Sequence, residues 1–274
     1  MKYIKDVLSD EVITVVELRQ LIGTGRICLL DARSPEAYEH GHIPGAVNLH
    51  PSRLERTILL SSGEEVPNQL CAVPDLSRAA REAGVSNDVP VCVYDEGGSY
   101  LAARLWWALD VAGHRMLRLL DGGFTVWARE VGAVSAEPTI PAPTAFVPSR
   151  TRGKCVGFPE VITAMGDRHV ALCNTLPLDS YLHETIPGSL SFPYTETFAD
   201  DNFPLLRSRH ELAAAFQRRG ITPRHHLICF CGIGYSASQL YVAARYAGFP
   251  QVSLYDGSMV DWCARGGELV PGVA

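Results

Sequence analysis

The sequence has no apolar stretch approaching bilayer-spanning length, and its first ten residues, Met1-Lys-Tyr-Ile-Lys-Asp-Val-Leu-Ser-Asp10, lack the apolar core of a signal peptide. A membrane protein is therefore not expected, and a cytoplasmic location is. Cysteine is too sparse for a disulfide scaffold: eight fall in 274 residues and none forms a Cys-x2-Cys pair. The single Cys-x-Cys, Cys229-Phe-Cys231, has no second Cys/His pair at zinc spacing, so no metal site and no cofactor is expected. Excess positive charge is missing as well. With 24 Lys and Arg against 30 Asp and Glu the net charge is −6, which argues against nucleic acid and anionic membrane surfaces as partners. A hydrophobic content of 47% with 20% charged residues describes an ordinary soluble globular chain, long enough for two medium domains that each bury a core.

The chain repeats itself. Tyr38 matches Tyr181, His40 matches His183, and Ile43-Pro-Gly45 matches Ile186-Pro-Gly188. Further on, Gly113 to Trp127 matches Gly248 to Trp262, so the chain reads as two copies of one domain. Between them lies Glu137-Pro-Thr-Ile-Pro-Ala-Pro-Thr-Ala-Phe-Val-Pro148, whose prolines suit an extended, semi-rigid connector better than an element of either core. Each copy alternates short apolar runs (27–30, 91–94, 116–120; then 171–174, 227–230, 252–255) with helical patterns such as 101–111 and 211–219. That alternation predicts parallel sheets covered by helices on both faces.

Cys28, Cys92, Cys173 and Cys229 each lie within an apolar run and read as small core residues. Cys231 differs. It closes the run His226-Leu-Ile-Cys-Phe-Cys231 and is followed at once by Gly-Ile-Gly-Tyr-Ser-Ala-Ser238 and a helical pattern through Tyr246. A thiol at a strand-to-helix turn faces unpaired backbone N–H groups and the positive end of a helix, and both favour thiolate. The carboxyl end of a strand is also where open α/β sheets bind ligands, and the two glycines let a tight loop wrap the sulfur. Cys231 is thus the candidate nucleophile. Ser236 and Ser238 either add hydroxyl donors to it or cap the following helix.

Taken together, Asp31-Ala-Arg33, Gly41-His-Ile-Pro-Gly45, Tyr94-Asp95 ahead of Leu105-Trp-Trp107, Leu120-Asp-Gly-Gly123 and Tyr255-Asp-Gly-Ser258 resemble the tandem rhodaneses over nearly the whole chain. More narrowly, they resemble the thiosulfate and 3-mercaptopyruvate sulfurtransferases. The resemblance implies an α/β fold of two tandem rhodanese-like domains, each a five-stranded parallel sheet with helices on both faces. It implies a non-catalytic domain over residues 1–136, a Pro-rich linker over 137–149 and a catalytic domain over 150–274. Cys231 would then carry sulfur as a persulfide cradled by Gly232, Ile233, Gly234, Tyr235, Ser236, Ala237 and Ser238. Asp95 stands at the equivalent place in the first copy, and a carboxylate cannot take up sulfane sulfur, so that copy would be silent. Tyr100 and Arg104 are candidate substrate contacts, Arg104 alternatively an interdomain salt bridge; His42 is a third candidate or else the fold's structural histidine. The partners implied are a small anionic sulfur donor, a thiol or cyanide acceptor, and a thioredoxin-like reductant or sulfur-accepting protein.

The chain departs from the family at several positions. Ile233 replaces the hydroxyl residue usual in mercaptopyruvate enzymes, residues 232–238 carry none of the cations usual in thiosulfate enzymes, Asp-Ala-Arg has become Asn174-Thr-Leu176, and Thr185 replaces a histidine. An arginine-bearing insertion of the family is missing too. Loop charge favours mercaptopyruvate over the doubly charged thiosulfate. The alternative function is a degenerate rhodanese that relays sulfur for one partner or only binds. Phosphatases that share this fold need an arginine closing the loop, and here Arg245 first appears two turns further along.

Overall fold

The computed structural model describes residues 10–98, 100–142, 144–149, 151–200 and 203–273. The first half runs β1 (Val12–Ile13), α1 (Val15–Leu21), β2 (Cys28–Asp31), α2 (Pro35–His40), β3 (Val47–Asn48), β4 (Glu55–Leu59), β5 (Glu65–Leu70), α3 (Val73–Glu82), β6 (Val91–Tyr94), α4 (Leu101–Val111), β7 (Leu117–Leu120) and α5 (Gly123–Glu130). The second runs β8 (Cys155–Val156), α6 (Phe158–Ala164), β9 (Val170–Asn174), α7 (Leu178–His183), β10 (Leu190–Ser191), β11 (Phe198–Asp200), β12 (Phe203–Leu206), α8 (Arg209–Arg218), β13 (His226–Phe230), α9 (Tyr235–Tyr246), β14 (Val252–Tyr255) and α10 (Ser258–Ala264).

The two main sheets have the same parallel design, with strand order β1-β7-β6-β2-β3 in one and β8-β14-β13-β9-β10 in the other. Their middle strands read as unbroken apolar runs because helices cover both faces: every residue of Val91–Tyr94 and Val252–Tyr255 is buried. Local chemistry starts the helices. Thr14 and Glu17 form a capping box at α1, and Ser208 and Glu211 form another at α8. In each copy a tryptophan locks the turn after the last helix, Trp127 Nε1 donating to the Ala133 carbonyl at 2.6 Å and Trp262 Nε1 to that of Glu268 at 2.8 Å.

Packing divides the chain into two compact units that exchange ribbons. One unit comprises residues 1–54, 71–151 and 200–206; the other comprises 55–70, 152–199 and 207–274. The antiparallel ribbon β4–β5 thus packs with the second copy, where the Leu70 N–H donates to the Asp256 carboxylate at 2.7 Å. Residues 200–206 pack with the first, where the Leu206 N–H donates to Asp121 at 2.8 Å. Neither ribbon stands out in the sequence, since strands of three to six residues are too short for a periodic pattern. Within the proline-bearing stretch after residue 136, Phe146 is fully buried in the first unit. Its carbonyl accepts from Arg81 Nε at 2.8 Å and from Ser77 Oγ at 3.3 Å, while Asn87 pairs with Val147 in both directions. One aromatic anchor outweighs the spacer-like composition around it.

Candidate active site

β13 delivers Cys231 to the carboxyl edge of its sheet, flanked by β9 and β14. The chain then turns through Gly232-Ile-Gly234 into α9. Gly234 adopts a left-handed φ of +86° at the helix N-cap, a conformation a side chain would strain. The turn aims the Gly234 N–H at Cys231 Sγ, 3.1 Å away. A donated N–H together with the positive end of a twelve-residue helix favours negative charge on that sulfur. The thiol is only 2% exposed, while Ile233 stands 41% exposed at the turn.

A second segment holds the cysteine from behind. Ser258, fully buried at the start of α10, accepts the Cys231 N–H at 3.1 Å, donates to the Tyr255 carbonyl at 2.9 Å, and brings its Oγ within 4.0 Å of Sγ. It does so at a φ of +49°, a left-handed conformation that costs a non-glycine residue about 1–2 kcal/mol. The Met259 and Val260 N–H groups, each donating at 3.0 Å, then bind the carbonyls of Cys231 and Gly232. Ser258 went unrecognised in the sequence except as the end of a motif. The repeat carries the signal, because the first copy has Gly123 at that position, and a Cβ there would meet the Asp95 carbonyl at 2.6 Å.

The two loop serines take neither of the roles read from sequence. Ser238 Oγ donates to the Tyr235 carbonyl, and Ser236 Oγ pairs with Thr175 Oγ1 at 3.0 Å. The helix begins instead on glycine, with no side-chain cap. Thr175 follows Asn174, whose amide donates to Thr185 Oγ1 at 2.9 Å, so the remodelled signature is a neutral hydrogen-bonded set.

In the first unit the same framework holds a carboxylate. The Phe124 and Thr125 N–H groups bind the Asp95 and Glu96 carbonyls just as Met259 and Val260 do in the second. Asp95 Oδ1 accepts from Gly97 and Oδ2 from Ala102, each at 2.9 Å, so the cradle is satisfied by a side chain. Nearby, Arg33 forks onto Asp31 and reaches Glu96, with Phe124 beneath its guanidinium at 3.9 Å.

Tyr100 sits half-buried at the N-cap of α4, and Arg104 one turn on is 2% exposed with its guanidinium over the Trp107 ring at 4.6 Å. His42 is fully buried and stacked on Tyr38 at 3.8 Å. Its ring nitrogens face the carbonyls of Tyr38 at 2.8 Å and Glu137 at 3.1 Å, which makes it a fastener of the chain after α5 and leaves no ring nitrogen for a substrate. Burial pushes Cys28 and Cys173 up to about 12 and raises Cys92 and Cys229 as well, so these four stay thiols. Among the described residues no three His, Cys, Asp or Glu side chains stand within metal-ligating reach, and no helix is long and apolar enough to cross a membrane.

The rhodanese-like domain matches the chain twice, at residues 14–130 and 159–265. Thiosulfate sulfurtransferase of Rattus norvegicus is 32% identical over 66% of this chain; the match spans 65% of the rat protein's length. 3-Mercaptopyruvate sulfurtransferase of Escherichia coli K12 is 30% identical over 86% of this chain and 85% of that protein. The crystal structure of SseA from Escherichia coli, a 3-mercaptopyruvate sulfurtransferase with the rhodanese fold, aligns with a TM-score of 0.80 at 27% identity, covering 91% of this chain and 99% of that one.

Proposed function

The chain belongs to the rhodanese-like domain family through both of its repeats, and from that premise we propose that it is a sulfurtransferase acting through a persulfide on Cys231. The observation that carries the reading is the Gly234 N–H on the Cys231 sulfur at the mouth of α9, one residue past the end of β13. The Cys231 thiolate attacks the donor's outer sulfur and forms a Cys–S–S⁻ persulfide. From thiosulfate the leaving group is sulfite; from 3-mercaptopyruvate it is pyruvate, the thiol hydrogen ending on the new methyl group. A nucleophilic thiol or cyanide then takes the outer sulfur as a persulfide or thiocyanate and restores the Cys231 thiolate. The loop N–H groups carry the negative charge at each stage without a protein cation.

The donor we favour is 3-mercaptopyruvate. Residues 232–238 include no Lys or Arg, and a doubly charged donor would gain most from such cations. Tyr100 remains our candidate contact for the donor, and Arg104, buried against Trp107, is assigned to fixing that turn of α4. Within this proposal residues 1–136 form the silent copy, 137–149 the linker and 150–274 the catalytic copy. The setting proposed is cytoplasmic, with a thioredoxin-like reductant or a sulfur-accepting protein as the physiological acceptor.

Intact-mass measurement after donor treatment is expected to show one added sulfur atom that cyanide removes. An adduct that survives in Cys231→Ser would overturn the assignment. Steady-state comparison of the two donors with cyanide as common acceptor tests the preference, since each tenfold in kcat/KM is about 1.4 kcal/mol of differential transition-state binding. A tenfold advantage for thiosulfate would defeat the charge argument. The neutral Asn174-Thr175-Thr185 set in place of an ion-paired signature favours a second reading, a relay that serves one protein acceptor. Such a relay would load once and then stall with cyanide.

A further inference from the structure

We infer that Asn68 of the β4–β5 ribbon is a specificity-determining residue of the second unit: with Ile233 it forms a subsite beside Cys231 for the carboxylate end of a small thiol donor. The inference rests on the sulfurtransferase reading. It comes from what the two exchanged ribbons do at the two loops.

In the first unit the ribbon plugs the loop. The Leu206 N–H anchors it on Asp121 at 2.8 Å, and the residues just before it press on the turn after Asp95. A Cβ on Gly97 would meet the Pro204 ring at 2.9 Å, one on Gly98 would meet Pro204 at 3.0 Å, and one on Gly122 would meet the Leu205 side chain at 3.1 Å. The Asp95 carboxylate already takes the N–H groups of Gly97 and Ala102. An apolar plug over satisfied donors leaves a ligand nothing to bind.

The second unit sets its ribbon by the same anchor, the Leu70 N–H on Asp256 at 2.7 Å. Counted back from that anchor, Asn68 and Gln69 hold the register positions of Pro204 and Leu205. The N–H groups of α5 and α10 that bind the Asp95–Glu96 and Cys231–Gly232 carbonyls likewise set Gly97 against Ile233. Here the plug is gone. Ile233 carries a side chain where Gly97 has no room for one, and it stands 41% exposed, while a Cβ on Gly232 would meet nothing within 4 Å. The ribbon itself kinks at this point: the β4–β5 register breaks between Arg56 and Ile58, and Asn68 takes a left-handed φ of +57°. Among the described residues only Asn68 and Ser258 do so without being glycine, and Ser258 holds the Cys231 N–H. Such backbone gathers at ligand sites and persists where the surrounding packing holds it.

The walls of the subsite state what it takes. Gln69 is buried and turns its amide onto the Pro67 carbonyl at 2.9 Å, which braces the kink. Asn68 is half-buried, and an asparagine amide can donate two N–H bonds to a carboxylate while its oxygen accepts from a neighbour. Ile233 offers apolar surface to a methylene. An amide beside an aliphatic wall suits a short thiol acid with one carboxylate, whereas a dianion would find no compensating charge there.

Steady-state kinetics of the full-length protein with 3-mercaptopyruvate and cyanide test the subsite in Asn68→Asp and Asn68→Gly. Glycine accepts the left-handed backbone, so the second variant removes the amide and keeps the kink. KM is expected to rise about tenfold or more in both, with kcat within about twofold, the split for a contact made equally in ground and transition states. A second readout needs no turnover: pyruvate should protect Cys231 from iodoacetamide in the wild type, and about tenfold more weakly in Asn68→Asp. Unchanged KM and unchanged protection in both variants overturn the inference and leave the sulfurtransferase reading in place. Protection that depends on Asn68, in a protein that turns over neither donor, keeps the subsite and overturns that reading instead. A fall in kcat alone would mark the ribbon as a mere support for the loop and overturns the inference.

Discussion

Ser258 and Gly234 share one task at opposite sides of the Cys231 sulfur, and both do it in left-handed backbone. Ser258→Ala keeps the strain and strands the buried Cys231 N–H, so a loss of about 1–3 kcal/mol is expected in urea denaturation. Ser258→Gly also removes the hydroxyl but relieves about 1–2 kcal/mol of strain, and it should be the more stable of the two. The reverse order would show that the hydroxyl bridge contributes little. Gly234→Ala forces a Cβ into φ +86°, and about 1–2 kcal/mol of destabilisation is expected together with slower persulfide formation, read by donor-dependent mass increase over time.

At the scale of elements, what separates the copies is how far each helix begins beyond its strand. α9 starts at Tyr235, four residues after Cys231, whereas α4 starts at Leu101, six after Asp95. The longer turn closes on the Asp95 carboxylate through the Gly97 and Ala102 N–H groups, spaced to hold two oxygens where α9 presents the Gly234 N–H to one sulfur. Asp95→Cys in a Cys231→Ser background should therefore give no turnover with either donor, and a melting temperature below that of Cys231→Ser through the lost cap, worth about 0.5–2 kcal/mol. Rate recovery to the wild-type level would refute it. The end of α4 makes a pH prediction. Buried His114 places Nε2 at the Ser86 carbonyl and Nδ1 at the Met116 N–H, an arrangement for the neutral ring, and desolvation lowers its pKa. A depressed folded-state value means that its contribution is fully present above the unfolded pKa of about 6.5 and is lost as pH falls through the folded one. Melting temperature should drop from pH 7 to pH 5, and less so in His114→Gln; identical slopes would remove His114 as a cause.

Across the whole molecule, the exchanged ribbons tie each compact unit to chain from the other copy. Residues 55–70 belong to the second unit by packing, and the Leu70 N–H reaches Asp256 in the strand-to-helix turn that also holds Ser258. A chain cut to residues 150–274 keeps Cys231 and its entire loop but loses that ribbon. It should melt below the full-length protein and load less sulfur, and adding a separate fragment over residues 1–149 should restore loading in part. Full loading by the cut chain alone would show that the ribbon is dispensable to the loop.

The parallel α/β architecture, the repeat and the place of the Cys231 thiol at a strand end could be read from the sequence, because each is written in local patterns: apolar runs of strand length, matching spacings, and a thiol between a strand and a glycine turn. Cys92, Cys173 and Cys229 fell to the core for the same reason, their places within strands, while Cys28 at the start of β2 is only part-buried. Other features depend on residues far apart in the chain. The sequence alone could not tell whether Ser236 would face the sulfur or Thr175, since the partner is 61 positions away. It could not assign the Ser258 hydroxyl to the Cys231 N–H, 27 positions distant, nor turn His42 from a candidate contact into a bracket for Glu137. Phe146 among prolines looked like spacer until α3 supplied its pocket. Local propensity determines which elements form and where the thiol stands; which polar groups meet around it is decided only when the tertiary packing brings distant segments within the reach of a hydrogen bond.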